Sequence, residues 1–165
     1  MKARDLMVSI EQCLKPDNTL QEAVNILQTA RGNEGCQGIT GLPILDQAGK
    51  MVGILSMKDI LKAVHPFYLS MMDLGEFTWD HMVQSLAKGA ACKKVKDHMT
   101  REVVTVRGKD PLMECIDLMI KHNVRLLPVM DDQGQVEGMI CEQDVFCAIT
   151  GAMLEMDTCV STGGK

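Results

Sequence analysis

The sequence predicts an α/β fold in which two copies of a strand-helix-strand-strand-helix unit pack as one pseudo-twofold module, with a helical insert between the copies. Three anchor residues recur at a fixed spacing of 85: Pro43 and Pro128, Gly53 and Gly138, Asp59 and Asp144. Several anchors at one spacing are typical of an internal repeat. Neither copy is long enough to bury a good core alone, so we expect the two to pack face to face.

Composition narrows the class of protein. The chain has 165 residues, of which 46% are apolar and 3% aromatic, which predicts a core of aliphatic side chains and methionine. A net charge of −5 argues against a nucleic-acid partner, and no stretch approaches the ~20 apolar residues needed to span a membrane. The seven cysteines are scattered without a Cys-x-x-Cys pair, which favours free thiols over a disulfide framework. We therefore expect a soluble, cytoplasmic protein.

The first half of each copy contains a leader, a short strand and an amphipathic helix. The leaders align at a spacing of 92: Asp5 with Asp97 and Met7 with Met99. Strands are expected around residues 12–14 and 103–106, and Asn18 or Thr19 and Pro111 are the expected helix starts. Each helix has apolar residues at i, i+3, i+4 and i+7, the period of one buried face. These residues are Leu20, Ala23, Val24 and Leu27 in copy one, and Leu112, Cys115, Ile116 and Met119 in copy two.

The second half of each copy contains two strands and a second helix. The strands are predicted to form two hairpins, 39–45 with 51–56 and 124–130 with 136–141. Each hairpin turn is polar and ends in glycine, at Gly49 or Gly134. The closing helices are predicted over residues 58–64 and 143–149. Copy one also has a glycine-rich loop over residues 29–38, which explains why the repeat spacing falls from 92 to 85.

The predicted organisation has four parts: repeat one over 1–64, an insert over 65–94, repeat two over 95–152 and a flexible tail over 153–165. The insert holds four of the five aromatic residues, namely Phe67, Tyr68, Phe77 and Trp79. Thr78 followed by a periodic stretch that ends at Gly89 predicts a capped helix. Because aromatic residues mark both cores and interfaces, the insert either braces the two halves or forms a dimer contact.

Three motifs recur in the same order in both copies. In copy two they are the leader Val95–Thr100, the strand Leu126–Asp131 and the segment Gly138–Asp144, and copy one has counterparts at equivalent places. This arrangement resembles the cystathionine beta-synthase (CBS) domain, which usually occurs as a tandem pair called the Bateman module. The resemblance covers both copies and leaves out the insert and the tail.

The resemblance implies a cleft that binds an adenosyl ligand: AMP, ADP, ATP or S-adenosylmethionine. In the family pattern Gly-aliphatic-aliphatic-Ser/Thr-x-x-Asp, the carboxylate holds the ribose hydroxyls and the Ser/Thr hydroxyl lies near phosphate. The chemistry of the residues is consistent with this role, because a strand that ends at a helix start gathers free N–H groups that attract anions. A carboxylate one turn later can accept two hydrogen bonds from a ribose.

The implied ligand-binding residues are unequal in the two copies. Copy one has Ser56 and Asp59, with Lys58 between them and Thr100 supplied by the opposite leader. Copy two keeps Asp144 but has Cys141 in place of the hydroxyl and Val8 from the opposite leader. Arg125 and its counterpart Thr40 complete the polar set, with Ile39 and Val124 as aliphatic neighbours. The sequence therefore favours the Asp59 site. The alternative is that Ser56, Asp59 and Asp144 are helix caps.

No catalytic or metal-binding constellation is recognisable, because the four histidines fall in different elements without ligand spacing. We expect a non-enzymatic regulatory module that needs no cofactor, binds an adenosyl ligand and signals through a homodimer or an effector protein. AMP or ADP ranks first as ligand, ATP second and S-adenosylmethionine third. Two alternatives remain: a structural dimerisation module with a vestigial cleft, and a thiol redox sensor that uses Cys141 or Cys36.

Overall fold

A computed structural model describes residues 1–30, 40–65, 67–71 and 82–154. In copy one the elements are α1 (Ala3–Leu6), β1 (Val8–Ser9), α2 (Leu20–Ala30), β2 (Gly41–Leu45), β3 (Met51–Ser56) and α3 (Met57–Val64). The insert contributes a 3-10 turn at Phe67–Ser70 and helix α4 (Met82–Ala91). Copy two has a 3-10 turn at Val95–Asp97, then β4 (Val106–Arg107), α5 (Leu112–His122), β5 (Leu126–Met130), β6 (Val136–Cys141) and α6 (Glu142–Leu154).

The strands form the same sheet twice. In copy two the order is β1-β6-β5-β4, with β4 parallel to β5 and the other pairs antiparallel. In copy one, β2 and β3 form an antiparallel hairpin that single bridges extend on both sides. Leu14 pairs in parallel with Ile44, and Thr100 pairs antiparallel with Ile54. The predicted α/β fold with two equivalent repeats is confirmed.

Each leader crosses to the opposite copy. The β1 strand of the first leader pairs with β6, and the backbone of Thr100 in the second leader exchanges hydrogen bonds of 3.0 and 2.9 Å with Ile54. Glycine permits this close approach, because a Cβ on Gly53 would lie 2.8 Å from the Thr100 carbonyl oxygen. A Cβ on Gly138 would lie 2.9 Å from the Val8 carbonyl oxygen. The recurring glycine therefore lies where the leader of one copy packs against a strand of the other.

The apolar residues fall into three clusters. One lies within copy one, around Leu14, Leu42 and Leu55, and receives Ala90 and Val95 from beyond the repeat. A second lies within copy two, around Leu127, Val129 and Ile140. The third joins the copies through Ile54, Leu126, Met139 and Cys141, all less than 9% exposed. The face-to-face packing expected from the small size of each repeat is what this third cluster provides.

Several element boundaries differ from the prediction. The strand expected at 12–14 is reduced to the Leu14 bridge, and the one expected at 103–106 lies at Val106–Arg107, because each makes a very short parallel contact with its hairpin. Helix α4 does not stop at Gly89, since Ala90 is buried in the first core and its packing outweighs the low helix propensity of glycine. Helix α6 continues to Leu154, two residues into the predicted tail.

Other predicted features are present or fall outside the described residues. Thr19 caps α2, since its hydroxyl accepts a hydrogen bond from the Glu22 N–H and the Glu22 carboxylate accepts one from the Thr19 N–H. Phe67 and Tyr68 are exposed, at 77% and 54%. The predicted cap at Thr78, the aromatic residues Phe77 and Trp79, most of the 29–38 loop and the tail from 155 onward lie outside the described residues.

Candidate functional site

The first candidate site is built where β3 ends and α3 begins. Ser56 is the N-cap of α3, and its N–H and hydroxyl both donate to Oδ2 of Asp59, at 2.9 and 2.6 Å. The Asp59 N–H donates back to the Ser56 hydroxyl at 3.3 Å. This reciprocal pattern is a capping box, and Asp59 is 6% exposed within it. The capping interpretation of Ser56 and Asp59 is therefore correct as a description of the unliganded chain.

The opposite leader completes this site. The Thr100 hydroxyl donates to Oδ1 of Asp59 at 3.3 Å, so both carboxylate oxygens of Asp59 already accept hydrogen bonds. Thr100 reaches Asp59 because its backbone pairs with Ile54 beside Gly53. Ser56, Asp59 and Thr100, which the sequence placed together, are thus brought into one cluster.

The second candidate site lies at the equivalent place in copy two, where β6 ends and α6 begins. Asp144 is 5% exposed, and its Oδ2 accepts a hydrogen bond from the Cys141 N–H at 3.3 Å. Its Oδ1 is buried and has no hydrogen-bond partner among the described residues. Burial raises the pKa of the Asp144 carboxyl. A buried acceptor without a donor indicates a position that a ligand's hydrogen-bond donor can satisfy.

Cys141 replaces the serine of copy one, and its thiol interacts with the Asp144 carboxylate, where a thiol is a weaker donor than a hydroxyl. The Thr40 hydroxyl donates to the Cys141 Sγ at 3.7 Å across the boundary between the copies. Cys141 is 1% exposed, and burial raises the pKa of its thiol despite this hydrogen bond. The adjacent helix start is the one feature that would favour an acidic thiol at Cys141, but burial dominates and the net direction of the pKa is upward.

Thr40 and Arg125 occupy equivalent positions at the entrance to their hairpins. The Thr40 carbonyl accepts a hydrogen bond from the Met57 N–H, and the Arg125 carbonyl accepts one from the Glu142 N–H, both at 2.9 Å. The Arg125 side chain is 80% exposed and forms an ion pair of 3.5 Å with Glu142, at the start of α6. An exposed guanidinium at this helix start is available to an anionic ligand, which would have to compete with Glu142.

The remaining predicted residues are more dispersed. Val124 is half-buried and packs against the core of copy two. Lys58 is exposed and lines a groove on the outer side of α3 together with Leu61 and Lys62. Ile39 lies outside the described residues. No group of three metal-ligating side chains occurs in the part of the chain that the structure describes.

Each copy has a helix start with a buried aspartate, flanked by the leader of the opposite copy. One family model matches both copies. The CBS domain model matches residues 3–66 and again residues 95–151, which together make up more than half of the chain. The chain belongs to the CBS-domain family. Its two repeats form the tandem pair known as the Bateman module.

The curated relatives include proteins of different length. Protein MJ1426 of Methanocaldococcus jannaschii is 32% identical over 146 residues, covering 81% of this chain and 82% of the relative. Inosine-5'-monophosphate dehydrogenase of the same organism is 28% identical over 145 residues, and this CBS pair spans 23% of its length.

Solved structures share the fold of the CBS pair. CBSX2, crystallised in complex with AMP, is 24% identical with a TM-score of 0.63, covering 92% of this chain and 98% of CBSX2. The CBS domain pair of protein MJ0100, in complex with 5'-methylthioadenosine and S-adenosyl-L-methionine, is 25% identical with a TM-score of 0.64, over the same shares of both chains. None of the helices described in this chain is long and apolar enough to cross a bilayer.

Sequence reasoning missed the hydrogen-bond difference between the two aspartates. Asp59 and Asp144 occupy identical places in the repeat, yet both oxygens of Asp59 accept hydrogen bonds, whereas Oδ1 of Asp144 has no partner among the described residues. The replacement of Ser56 by Cys141 was the available signal, because a hydroxyl donates to a carboxylate far better than a thiol does.

Proposed function

We propose that this CBS pair is a non-catalytic regulatory module that binds an adenosyl ligand between its repeats and signals through a dimer or a partner protein. The observation that carries the proposal is Oδ1 of Asp144, which is buried at the start of α6 and has no hydrogen-bond partner among the described residues. Leaving a buried acceptor without a donor costs about 1–3 kcal/mol. A ribose hydroxyl would supply the missing donor, so ligand binding would remove this cost.

We propose further that Asp144 marks the tighter of the two sites. The sequence alone ranks the Ser56 and Asp59 site first, because it has the hydroxyl groups. The hydrogen bonds favour the reverse order, since a ribose at Asp59 would have to displace or share the bonds from Ser56 and Thr100. At Asp144 it forms a new bond without breaking one, and Arg125 lies at the same helix start to receive a phosphate.

The ligand class follows from the charges around this site. One exposed arginine, partly neutralised by Glu142, suits a ligand of modest negative charge such as AMP or ADP. ATP ranks second because its extra charge would face an acidic protein. S-adenosylmethionine ranks third on charge, although the related MJ0100 pair holds it together with 5'-methylthioadenosine. AMP, the ligand of CBSX2, agrees with the first choice.

A structural dimerisation module is the second candidate, and the capping box at Asp59 favours it. That site satisfies its own hydrogen bonds without any ligand, as expected of a vestigial cleft. The redox alternative has less support, because the Cys141 thiol is buried with a raised pKa and a reactive thiol needs the opposite. Cys36, the other cysteine considered, lies outside the described residues.

We also propose that the module forms a homodimer in a reducing, cytoplasmic compartment. Scattered, unpaired thiols such as Cys13, Cys92 and Cys115 suit such a compartment. Large apolar side chains on the outer faces of α3 and α6 are exposed, with Leu61 at 68% and its counterpart Phe146 at 64%. A second copy of the chain would cover these two equivalent faces, and we take them as the dimer contact.

A thermal-shift screen against adenosine, AMP, ADP, ATP and S-adenosylmethionine tests the proposal. A ligand present at 100 times its Kd stabilises the native state by about 2.7 kcal/mol. The proposal requires at least one of these compounds, AMP or ADP first, to raise the melting temperature. Guanosine analogues at the same concentration serve as the control. Absence of a shift with every adenosyl compound would favour the structural module.

A further inference from the structure

A second concave surface lies on the outer side of α3, separate from the two buried aspartates. It is an open cavity of about 610 Å³ between α3, the 3-10 turn at Phe67–Ser70 and the segment that enters copy two. Its lining residues are Lys58, Leu61, Lys62, Ala63, His65, Phe67, Ser70, Lys93 and His98. We call it the basic groove.

The charge of the basic groove is opposite to that of the whole protein. Among the described residues, three lysines and two histidines line it and no carboxylate does, whereas the chain has a net charge of −5. The described acids nearest in sequence, Asp59 and Asp97, do not line it. The Asp59 carboxylate is buried and bonded to Ser56 and Thr100, and Asp97 lies beside His98 but outside the lining. Converging positive charge in a cavity raises the local concentration of anions.

The lysines are held in a pattern that suits several anionic oxygens at once. Lys58 and Lys62 are four residues apart on α3 and therefore lie on neighbouring turns of one face. Lys93 approaches from the C-terminal side of α4, and its Nζ donates to the Ala63 carbonyl oxygen at 2.9 Å. That bond fixes the ammonium at the C-terminal end of α3 and leaves its other two protons for a ligand. Each ammonium that lines the groove adds to its positive potential.

We propose that the basic groove binds a small polyanion of the diphosphate or triphosphate class. Its volume lies within the roughly 300–1,000 Å³ of small-molecule sites, and its three lysines match an anion with three or more charges better than a single phosphate. Phe67 is 77% exposed and provides an apolar wall for an organic group attached to the phosphates. This proposal does not depend on the Asp144 site, because its residues do not overlap with Asp144, Cys141 or Arg125. Lys58 is the one residue that it shares with the set expected around Asp59.

The test measures binding of inorganic tripolyphosphate to the full chain by calorimetry at moderate salt. The variant Lys62→Gln with Lys93→Gln is compared with Lys15→Gln with Lys50→Gln, which removes the same charge from exposed lysines elsewhere on copy one. We expect the groove variant to bind at least about tenfold more weakly than the wild type, and the control variant to stay within about twofold. Because Lys93→Gln also removes the bond to Ala63, Lys62→Gln alone is measured as well and should lose part of the affinity.

Equal affinities of the groove and control variants would overturn the proposal, since binding would then reflect net charge alone. Preference for an acidic peptide over tripolyphosphate would also overturn it. Binding of adenosine, which carries no phosphate, is measured on the same variants and should not change. If adenosine binds and tripolyphosphate does not, the groove proposal fails while the adenosyl site stands. If tripolyphosphate binds and adenosine does not, the adenosyl proposal fails while the groove proposal stands.

Discussion

At the scale of single residues, the two equivalent aspartates differ in how their oxygens are satisfied. Asp59 accepts hydrogen bonds from Ser56 and Thr100, whereas one oxygen of Asp144 has no partner among the described residues. The same motif can therefore stabilise the chain in one copy and cost it stability in the other. Such a cost is typical of a position kept for binding.

We predict that Asp59→Asn lowers stability at pH 7 and that Asp144→Asn does not. Asp59→Asn should lower the free energy of unfolding by about 1–3 kcal/mol, because it weakens hydrogen bonds to a charged acceptor. Asp144→Asn should leave it unchanged or raise it, because a neutral amide costs less to bury than a carboxylate. Urea denaturation of both variants measures this. Equal losses in the two variants would show that Asp144 is as well satisfied as Asp59.

The stability of the Asp144→Asn variant relative to the wild type should depend on pH in a definite direction. Burial raises the pKa of the Asp144 carboxyl above its value in the unfolded chain, so the native state binds this proton more tightly. Its contribution to stability is full below the ordinary pKa of about 4 and declines as pH rises through the raised value. The stability of Asp144→Asn relative to the wild type should therefore increase from pH 4 upward. A difference that does not change with pH would contradict the shift.

We predict that Cys141 is inert to mild peroxide. Its thiol is 1% exposed and its pKa is raised, whereas Cys13 and Cys92 are exposed. Mass spectrometry should find the exposed cysteines modified first, and Cys141→Ala should keep its fold and its ligand affinity. Peroxide modification of Cys141 that abolishes ligand binding would restore the redox interpretation.

At the scale of elements, the exchanged leaders hold the two repeats together. Each leader pairs with β3 or β6 of the opposite copy. The strand needs a glycine at that point, because a Cβ would lie too close to a backbone carbonyl oxygen of the leader. The sequence shows the glycine, the leader and the spacing of 85, but it does not show that the leader crosses over. That crossing follows from contacts distant in sequence, such as Thr100 with Ile54.

We predict that Gly53→Ala destabilises the fold by about 1–3 kcal/mol, because the backbone of Thr100 must shift. Gly89→Ala is the matched control: a Cβ there meets nothing within 4 Å, and alanine favours the helix by up to about 1 kcal/mol. Thermal unfolding of the two variants should move in opposite directions. A Gly53→Ala variant as stable as the wild type would mean that the leader is loosely held.

The elements themselves were largely predictable, because long periodic segments decide them. The helix at Leu20–Ala30 and the hairpin strand at Met51–Ser56 follow directly from apolar periodicity and turn glycines. The strand at Val106–Arg107 and the end of α4 at Ala91 were not predictable to the residue, since tertiary packing sets them. In the candidate site, the sequence gives the residues, whereas the unpaired oxygen and the buried thiol depend on neighbours from the opposite copy.

At the scale of the whole molecule, the pseudo-twofold axis gives α3 and α6 equivalent outer faces with different chemistry. The face of α3 carries Lys58 and Lys62, whereas that of α6 begins at Glu142 and exposes Phe146, Met153 and Leu154. Both faces leave large apolar side chains in water. A second copy of the chain would cover them.

We predict that the protein is a dimer at micromolar concentration and that Leu61→Glu with Phe146→Glu makes it a monomer. Light scattering measures both masses. Met113→Glu is the control, because Met113 is 72% exposed on α5, away from these two faces. A wild type that is monomeric with and without AMP would contradict the dimer. A double variant that still dimerises would place the contact elsewhere.

The most direct test of the account is calorimetric titration of AMP into the wild type and the variants Asp144→Ala, Asp59→Ala and Asp132→Ala. Asp132 is an exposed carboxylate in the same copy, with only long ion pairs of 4.0 Å among the described residues, so its variant controls for net charge. We predict that Asp144→Ala weakens AMP binding by about tenfold or more, Asp59→Ala by less, and Asp132→Ala not at all. If Asp144→Ala binds AMP as tightly as the wild type does, this would contradict the claim that a ribose hydroxyl donates to the unpaired oxygen of Asp144.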